Sequence, residues 1–356
     1  MPPLPPLRVL HVDSGREYRG GQNQVRLLAR ELVRVGDVEQ RLVTKRGSEL
    51  ARRAAAAGVA VGEASWGASL DPRVLWRLYH ELTSFEPHLL HAHDSHALQL
   101  VHWARRLGGG GPPPPVLVAT RRVDFHVRRR SVWFRVDRVI AISEAVKIVL
   151  TADGLSAARI TVIPSGIDPD EVRRGAARPL DIRARLGLPP ETPLAVNVAA
   201  LVGHKDHETL LRAAHTARAA RPELHWAVAG AGELRRSLDV EIARLGLGDR
   251  VHLLGHVAEV DALIREADVF VMSSKEEGLG SVALHALVLG TPVVATRGGG
   301  LPEIVPAQWL APVGDAEALA GKVVQALDHP APIPLPPQFT ASAMARGVLA
   351  VYRSLV

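Results

Sequence analysis

Short apolar runs alternate along this chain with stretches whose apolar positions recur every three or four residues. Leu7–Val12 predicts a strand, and Val25, Leu28, Leu32 and Val35 then share one stripe of a helix over 22–36. Further strands are expected near 39–44, 59–61, 88–92, 116–120, 137–142 and 160–163, with helices between them, as at 72–84, 95–107 and 143–152. This rhythm predicts a parallel sheet covered by helices on both faces. It pauses over 164–192, a stretch punctuated by prolines. A second series follows, with strands expected at 194–199, 225–229, 251–254, 268–272 and 292–296 and helices at 206–220, 233–245, 259–266, 280–290 and 315–328. A Pro-rich hinge at 330–337 precedes a last helix near 340–354. The expected organisation is two α/β units, 1–168 and 193–335, joined by a linker over 169–192 and followed by the terminal segment 336–356.

With 356 residues, 47% hydrophobic and 22% charged, the chain can bury two cores, and disorder is excluded as its main character. It has no cysteine, which excludes disulfides, thiolate metal sites and cysteine nucleophiles. The net charge of +6 is concentrated: 121–138 holds seven arginines against Asp124 and Asp137. Such a patch suits an anionic partner. Aromatic residues are only 4% of the chain and form no stacking platform, so nucleic acid is not the expected partner. Instead Val132, Trp133 and Phe134, framed by arginines, suggest an anionic membrane surface. The opening Met1-Pro-Pro-Leu-Pro-Pro lacks a basic and an apolar leader region, and no apolar stretch reaches about 18 residues. A cytoplasmic location is expected, with peripheral attachment to the inner face of the plasma membrane as an option.

In parallel sheets ligands bind beyond the carboxyl ends of the strands, so the loops there are the candidates. With two such edges facing each other, the expected site is a cleft between the units. Gly20-Gly21 after the first strand opens a helix and lets backbone amides approach an anion. Lys205 precedes a helix start, where the dipole disfavours a cation unless an anion joins it. The loop Ser273–Ser281 flanks Glu277 with Gly278 and Gly280; Glu277 reads as functional and Glu276 as surface charge. Arg297-Gly-Gly-Gly forms another amide-rich turn. His91 and His93 are expected to point apart, which leaves no metal site there, with His93 or Asp94 lining the cleft.

Glu277-Gly-Leu-Gly-Ser-Val-Ala-Leu-His285 followed by Gly290-Thr-Pro-Val-Val-Ala-Thr-Arg-Gly-Gly closely resembles the family 4 retaining glycosyltransferases of the GT-B fold. Val139-Ile-Ala-Ile-Ser-Glu, Val162-Ile-Pro-Ser-Gly-Ile-Asp168 and the terminal Tyr352-Arg extend the resemblance over nearly the whole chain. Arg19-Gly-Gly-Gln and Thr120-Arg-Arg-Val-Asp-Phe are similar to a bacterial cell-envelope subgroup. The resemblance implies two Rossmann-like domains, acceptor first and donor second, with the terminal helix crossing back to the first. It implies a nucleoside-diphosphate sugar, such as a UDP-sugar, as donor and a glycan or lipid-linked acceptor, with no metal and no cofactor.

By the same resemblance, Glu277, Arg122 and His93 are the catalytic candidates. Lys205 would hold the diphosphate, with Gly20, Gly21, Gly230, Gly255, His256, Gly280, Ser281, His285 and Arg297 also on the donor side. Asp94, Arg121 and Asp124 fall on the acceptor side. His285 stands where the family has a second Glu for the ribose, and Ala200 where many relatives carry Arg. The family's histidine after the fifth strand is replaced by Arg121 or Arg122. Two other readings fit the same frame: a sugar-nucleotide 2-epimerase, and a degenerate transferase that only binds.

Overall fold

The computed structural model describes residues 6–67, 71–107 and 114–356. The opening Pro-rich residues 1–5 and most of the Gly/Pro run at 109–115 lie outside the described residues. The chain divides into two units: 1–166 together with 337–356, and 167–336.

The first unit runs β1 (Leu7–Val12), α1 (Gly20–Val35), β2 (Val38–Lys45), α2 (Glu49–Ala56), β3 (Ala60–Ala64), α3 (Pro72–Phe85), β4 (Leu89–Ala92), α4 (Ser95–Leu107), β5 (Val116–Arg121), β6 (Arg138–Ala141), α5 (Glu144–Ala152) and β7 (Ile160–Val162). All pairs are parallel, in the order β3-β2-β1-β4-β5-β6-β7. Strands such as Val9-Leu10 and Leu89-Leu90 are apolar on successive residues because both faces are covered. Local chemistry sets the helix starts. Asp71 caps α3 by accepting from the Arg73 amide at 3.0 Å, with Pro72 at the first helical position, and Ser143 caps α5 through the Val146 amide at 3.0 Å.

The second unit contains α6 (Pro169–Gly175), α7 (Ile182–Arg185), β8 (Leu194–Val198), α8 (His207–Ala217), β9 (His225–Ala229), α9 (Arg235–Arg244), β10 (Val251–Gly255), α10 (Val260–Arg265), β11 (Val269–Met272), α11 (Ser281–Leu289), β12 (Val293–Thr296), β13 (Leu310–Ala311) and α12 (Ala316–Asp328). Its sheet is also parallel, ordered β10-β9-β8-β11-β12-β13. The stretch 169–192, expected as a linker, carries α6 and α7 and is fixed to this unit. The Glu266 carboxylate accepts from the amides of Leu180, Asp181 and Ile182.

The terminal helix α13 (Ala341–Arg353) returns to the first unit. Met344, Val348 and Tyr352 join Val9, Leu28, Leu32, Val118 and Ile140 in one core. The junction is tight: a Cβ on Gly166 would lie 2.5 Å from the Thr340 carbonyl. Gln24 secures Gly166 by donating to its carbonyl at 2.8 Å and accepting from its amide at 3.1 Å. Both sheets reverse strand order once, between β1 and β4 and between β8 and β11. Those reversals are where an open α/β sheet leaves a crevice at its carboxyl edge. No helix among the described residues is long and apolar enough to cross a membrane.

Candidate active site

In the second unit the reversal is flanked by the loops after β8 and β11, and they bring Lys205 and Glu277 together. Lys205 Nζ is paired with Glu277 Oε2, and the Ser274 hydroxyl donates to the same oxygen at 3.2 Å. Only 17% and 14% of the two side chains is exposed. Neither has another ion-pair partner among the described residues. Two further ties hold the loops in register: Ser273 Oγ donates to the Lys205 carbonyl at 3.0 Å, and the Lys275 amide to the His204 carbonyl at 2.9 Å.

Glycines shape this loop for packing. Cβ atoms on Gly298, Gly299 and Gly300 would lie 2.1, 1.9 and 2.7 Å from the carbonyls of Ser274, Glu277 and Gly278. The turn after β12 thus clamps the Glu277 loop. Gly280 is left-handed (φ 87°), its Cβ site lies 2.5 Å from Leu301 Cδ2, and it caps α11 with no side chain. The first amides of α11, at Ser281, therefore meet no capping side chain and suit an anion. Gly230 has no room for a side chain, its Cβ site being 1.8 Å from the Ala199 carbonyl, whereas Gly255 is left-handed (φ 72°) in open space. His256 and Arg297 are exposed, and the Arg297 guanidinium reaches the Ala307 carbonyl at 3.4 Å. His285 donates or accepts at Nδ1 against Asp261 Oδ1 at 2.6 Å, so its ring orientation is set by a carboxylate from α10.

In the first unit the reversal brings together the ends of β1 and β4. His91 and His93 point to the same side, not apart: residues two apart on a strand share a face, and their ring centroids are 4.1 Å from each other. His11, directly across in register from His91, joins them. One nitrogen from each of these three buried imidazoles lies within 4.8 Å of the other two. Hydrogen bonds within the protein account for most of those nitrogens. His91 engages the Tyr352 hydroxyl and, at 2.7 Å, Thr120 Oγ1. Arg122 can only donate, so its 3.3 Å contact makes His93 Nδ1 an acceptor. The His93 proton then sits on Nε2 and is donated to His11 Nδ1 at 2.9 Å, which leaves His11 Nε2–H without a partner. Burial lowers the proton affinity of all three rings, His11 to about 3. The neighbouring Arg122 guanidinium disfavours a metal cation here as it disfavours a proton.

Arg122 also donates to the His93 carbonyl at 2.8 Å and runs along the start of α1, 3.8 Å from where a Cβ on Gly21 would be. A Cβ on Gly20 would touch nothing within 4 Å, so packing does not require glycine there. Beside them lies Asp13, which the sequence reading passed over. It is buried, accepts from the Gly15 amide at 2.9 Å and from Gln22 Nε2 at 3.2 Å. Burial first, then the charge of Asp94, pushes its carboxyl up to about 6. The signal was present as an acid directly after an apolar strand, and the missing piece was its neighbour from β4. Asp94 is fully engaged. It accepts from Ser14 Oγ at 2.6 Å and the Ser14 amide at 2.7 Å, and caps α4 through the amides of His96 and Ala97 at 2.9 and 2.8 Å.

Arg121 turns away from Arg122. It is buried, donates to the Phe125 carbonyl at 2.6 Å and lies 5.1 Å from the Trp133 ring centre, with half-buried Asp124 nearby in charge. Trp133 is 4% exposed and packs inward, which corrects its expected place on a membrane-facing surface. Arg128, Arg129 and Arg130 remain exposed.

Two family models match the chain: "Glycosyltransferase Family 4" over residues 18–171 and "Glycosyl transferases group 1" over 180–344. The chain belongs to the family 4 glycosyltransferases. It is 32% identical over 204 residues to a 2-deoxystreptamine glucosyltransferase of Streptomyces kanamyceticus, covering 55% of this chain and 52% of that one. It is 33% identical over 152 residues to the lipopolysaccharide core biosynthesis glycosyltransferase LpsE of Rhizobium meliloti, covering 40% and 42%. The chain spans about half the length of the curated relatives it matches. Among solved structures, Anabaena Alr3699/HepE in complex with UDP is 18% identical with TM-score 0.75, covering 98% of this chain and 97% of that one. A glycosyltransferase from Rickettsia africae is 16% identical with TM-score 0.78 and 98% coverage of both chains. These likenesses establish the GT-B fold, two Rossmann-like domains with parallel sheets.

Proposed function

We propose that the protein transfers a sugar from a nucleoside-diphosphate sugar, with UDP as the nucleotide, to a glycan or lipid-linked acceptor with retention of configuration. The carrying observation is the Lys205–Glu277 pair at the sheet reversal of the second unit. A cation next to uncapped helix amides suits a diphosphate, and charge developing on the departing phosphate would be stabilised there without a metal. The carboxylate beside it suits sugar hydroxyls. Glu277 Oε1 has no protein partner among the described residues, so it is free to accept one. On the acceptor side, Arg122 and the neutral imidazoles hold the β1 and β4 loop ends rigid around Asp13. UDP-glucose complexes are known for the HepE structural neighbour, which supports the choice of nucleotide.

Thermal-shift measurements with UDP, GDP, ADP and their sugars test this reading, because a ligand bound only by the native state raises the melting temperature. UDP and UDP-sugars should stabilise the protein most. No shift from any of them would remove the transferase reading. The anomeric configuration of the product, read by NMR, tests retention. One observation favours a binding-only protein as second reading: His285, held by Asp261, offers one ring nitrogen where a carboxylate would offer two oxygens. Stabilisation by UDP-sugars with neither transfer nor hydrolysis would support it.

We also place the attachment to an anionic surface on the exposed Arg128, Arg129 and Arg130. Sedimentation with vesicles containing anionic lipid should fall to background when all three become Ser. Unchanged binding would remove the assignment.

A further inference from the structure

The first unit carries a second concavity at the carboxyl edge of its sheet, two strands away from the β1–β4 reversal. Its volume is about 480 Å³, and it is lined by Arg46 after β2, Glu63 and Ser65 at the end of β3, and Arg73, Trp76 and Arg77 of α3. The residue types are unusual for a solvated surface. Trp76 is 67% exposed, although an indole on a helix normally buries its face. Arg73, three residues back, shares its side of α3, and Arg77, one turn on from Arg73, completes the wall. The sequence also makes room for this arrangement. A Cβ on Gly62 in β3 would lie 2.8 Å from Arg77 Nη2, so glycine there admits the guanidinium over the sheet.

Three arginines and one carboxylate, Glu63, line this concavity. Arg73 is paired with Asp71 at 3.0 Å and Arg77 with Glu81 at 2.6 Å. Arg46 has no ion-pair or side-chain hydrogen-bond partner among the described residues. Glu63 turns one oxygen to the Gly47 amide at 2.9 Å. Arg77 Nε is buried with no acceptor. The wall therefore presents one unsatisfied donor, Arg77 Nε, and one unpaired cation, Arg46, beside the exposed indole of Trp76, with Glu63 as its one carboxylate. A cavity of about 370 Å³ in the second unit provides the contrast. It opens at the amino ends of the strands, and there Arg221 is already paired with Asp328, and Asp268 with Arg183 at 2.6 Å.

We propose that this concavity binds an anionic sugar unit of the acceptor, one bearing a phosphate or a carboxylate. The indole of Trp76 packs against the C–H face of the ring, and Arg46, with the donors of Arg73 and Arg77, meets the anion. Neutral sugars would use only the indole. The inference rests on the transferase reading for the word acceptor, but the binding itself is a property of the first unit alone.

Isothermal titration of the full chain with glucose 6-phosphate, glucuronate and glucose tests it. Either anionic sugar should bind at least tenfold tighter than glucose, and which of the two binds tighter tells phosphate from carboxylate. Arg46→Ser and Trp76→Ala should each weaken that binding at least fivefold while leaving the melting shift with UDP unchanged. Binding of glucose as tight as that of both anionic sugars would overturn the proposal. So would inorganic phosphate matching glucose 6-phosphate in the Trp76→Ala and unsubstituted proteins alike, because the indole would then have no part. A UDP shift without anionic-sugar binding sinks the pocket alone, whereas anionic-sugar binding without any UDP shift sinks the transferase reading and leaves the pocket standing.

Discussion

Lys205 and Glu277 occupy each other in the free protein, and that gives their substitutions opposite signs. On the proposed function, Lys205→Ala removes a charge-assisted contact to the diphosphate worth about 1.5–3 kcal/mol, so UDP affinity should fall roughly ten- to a hundredfold. Titration calorimetry would show it, and affinity within twofold of the parent would rule out the role. Glu277→Gln frees the same lysine from its partner before UDP arrives. UDP should then bind at least as tightly as before, while turnover should fall strongly if, as proposed, the carboxylate orients the donor sugar. Equal losses in binding and rate would instead put Glu277 against the nucleotide. The pair was half legible: each residue stood out in its loop, but their contact depends on β8 and β11 being neighbours, which separates them by 72 positions in sequence.

At the scale of elements, the glycine-rich turns divide into those the fold requires and those it leaves open. Gly299 has φ 52°, and its Cβ site lies 1.9 Å from the Glu277 carbonyl. Gly299→Ala must push the β12 turn off the Glu277 loop, at a cost of at least about 2 kcal/mol from strain and overpacking. Gly20→Ala meets nothing within 4 Å and should leave the melting temperature unchanged or slightly raised. If the diphosphate approaches the start of α1, that same alanine should still weaken UDP binding. Melting curves and UDP titrations of both variants separate the two roles, and a destabilised Gly20→Ala would show that a packing demand was missed. The sequence marked both turns as anion sites on the same ground, runs of glycine after a strand. It could not distinguish them, because the carbonyls that crowd Gly298–Gly300 come from another loop. Elements with strong apolar periods, such as α1 and β11, were legible. The two-residue β13 was not, since nothing in Leu310-Ala311 departs from an ordinary loop.

For the whole molecule, the parallel α/β rhythm was legible because helices and strands each bury their own periodic pattern. The buried polar layer under the first sheet was not, because it joins β1, β4, β5 and α13, elements from both ends of the chain. That layer governs the response to acid. His11, His91 and His93 have folded-state proton affinities below the usual 6.5, and so has His207 in the second unit, at about 4. The stability they allow is fully present above pH 6.5 and is lost as pH falls toward the folded values. For His11, falling to about 3, the loss reaches about 4–5 kcal/mol at 1.4 kcal/mol per unit. Asp13 acts in the opposite sense. Its folded value of about 6 exceeds the unfolded 3.8, so folding is favoured below pH 4 and loses about 3 kcal/mol as pH rises through 6. One acid is set against several imidazoles, and the imidazoles prevail. Chemical denaturation should show the first unit weakening steadily from pH 7 to pH 4. Asp13→Asn, which cannot ionise, should add about 2–3 kcal/mol at pH 7.5 and almost nothing at pH 4, steepening the acid loss. A flat profile between pH 7 and pH 4 would mean that the three imidazoles take up protons in the folded protein. A variant no more stable than the parent at pH 7.5 would mean that Asp13 is already ionised there without penalty, held by Gly15, Gln22 and Arg122.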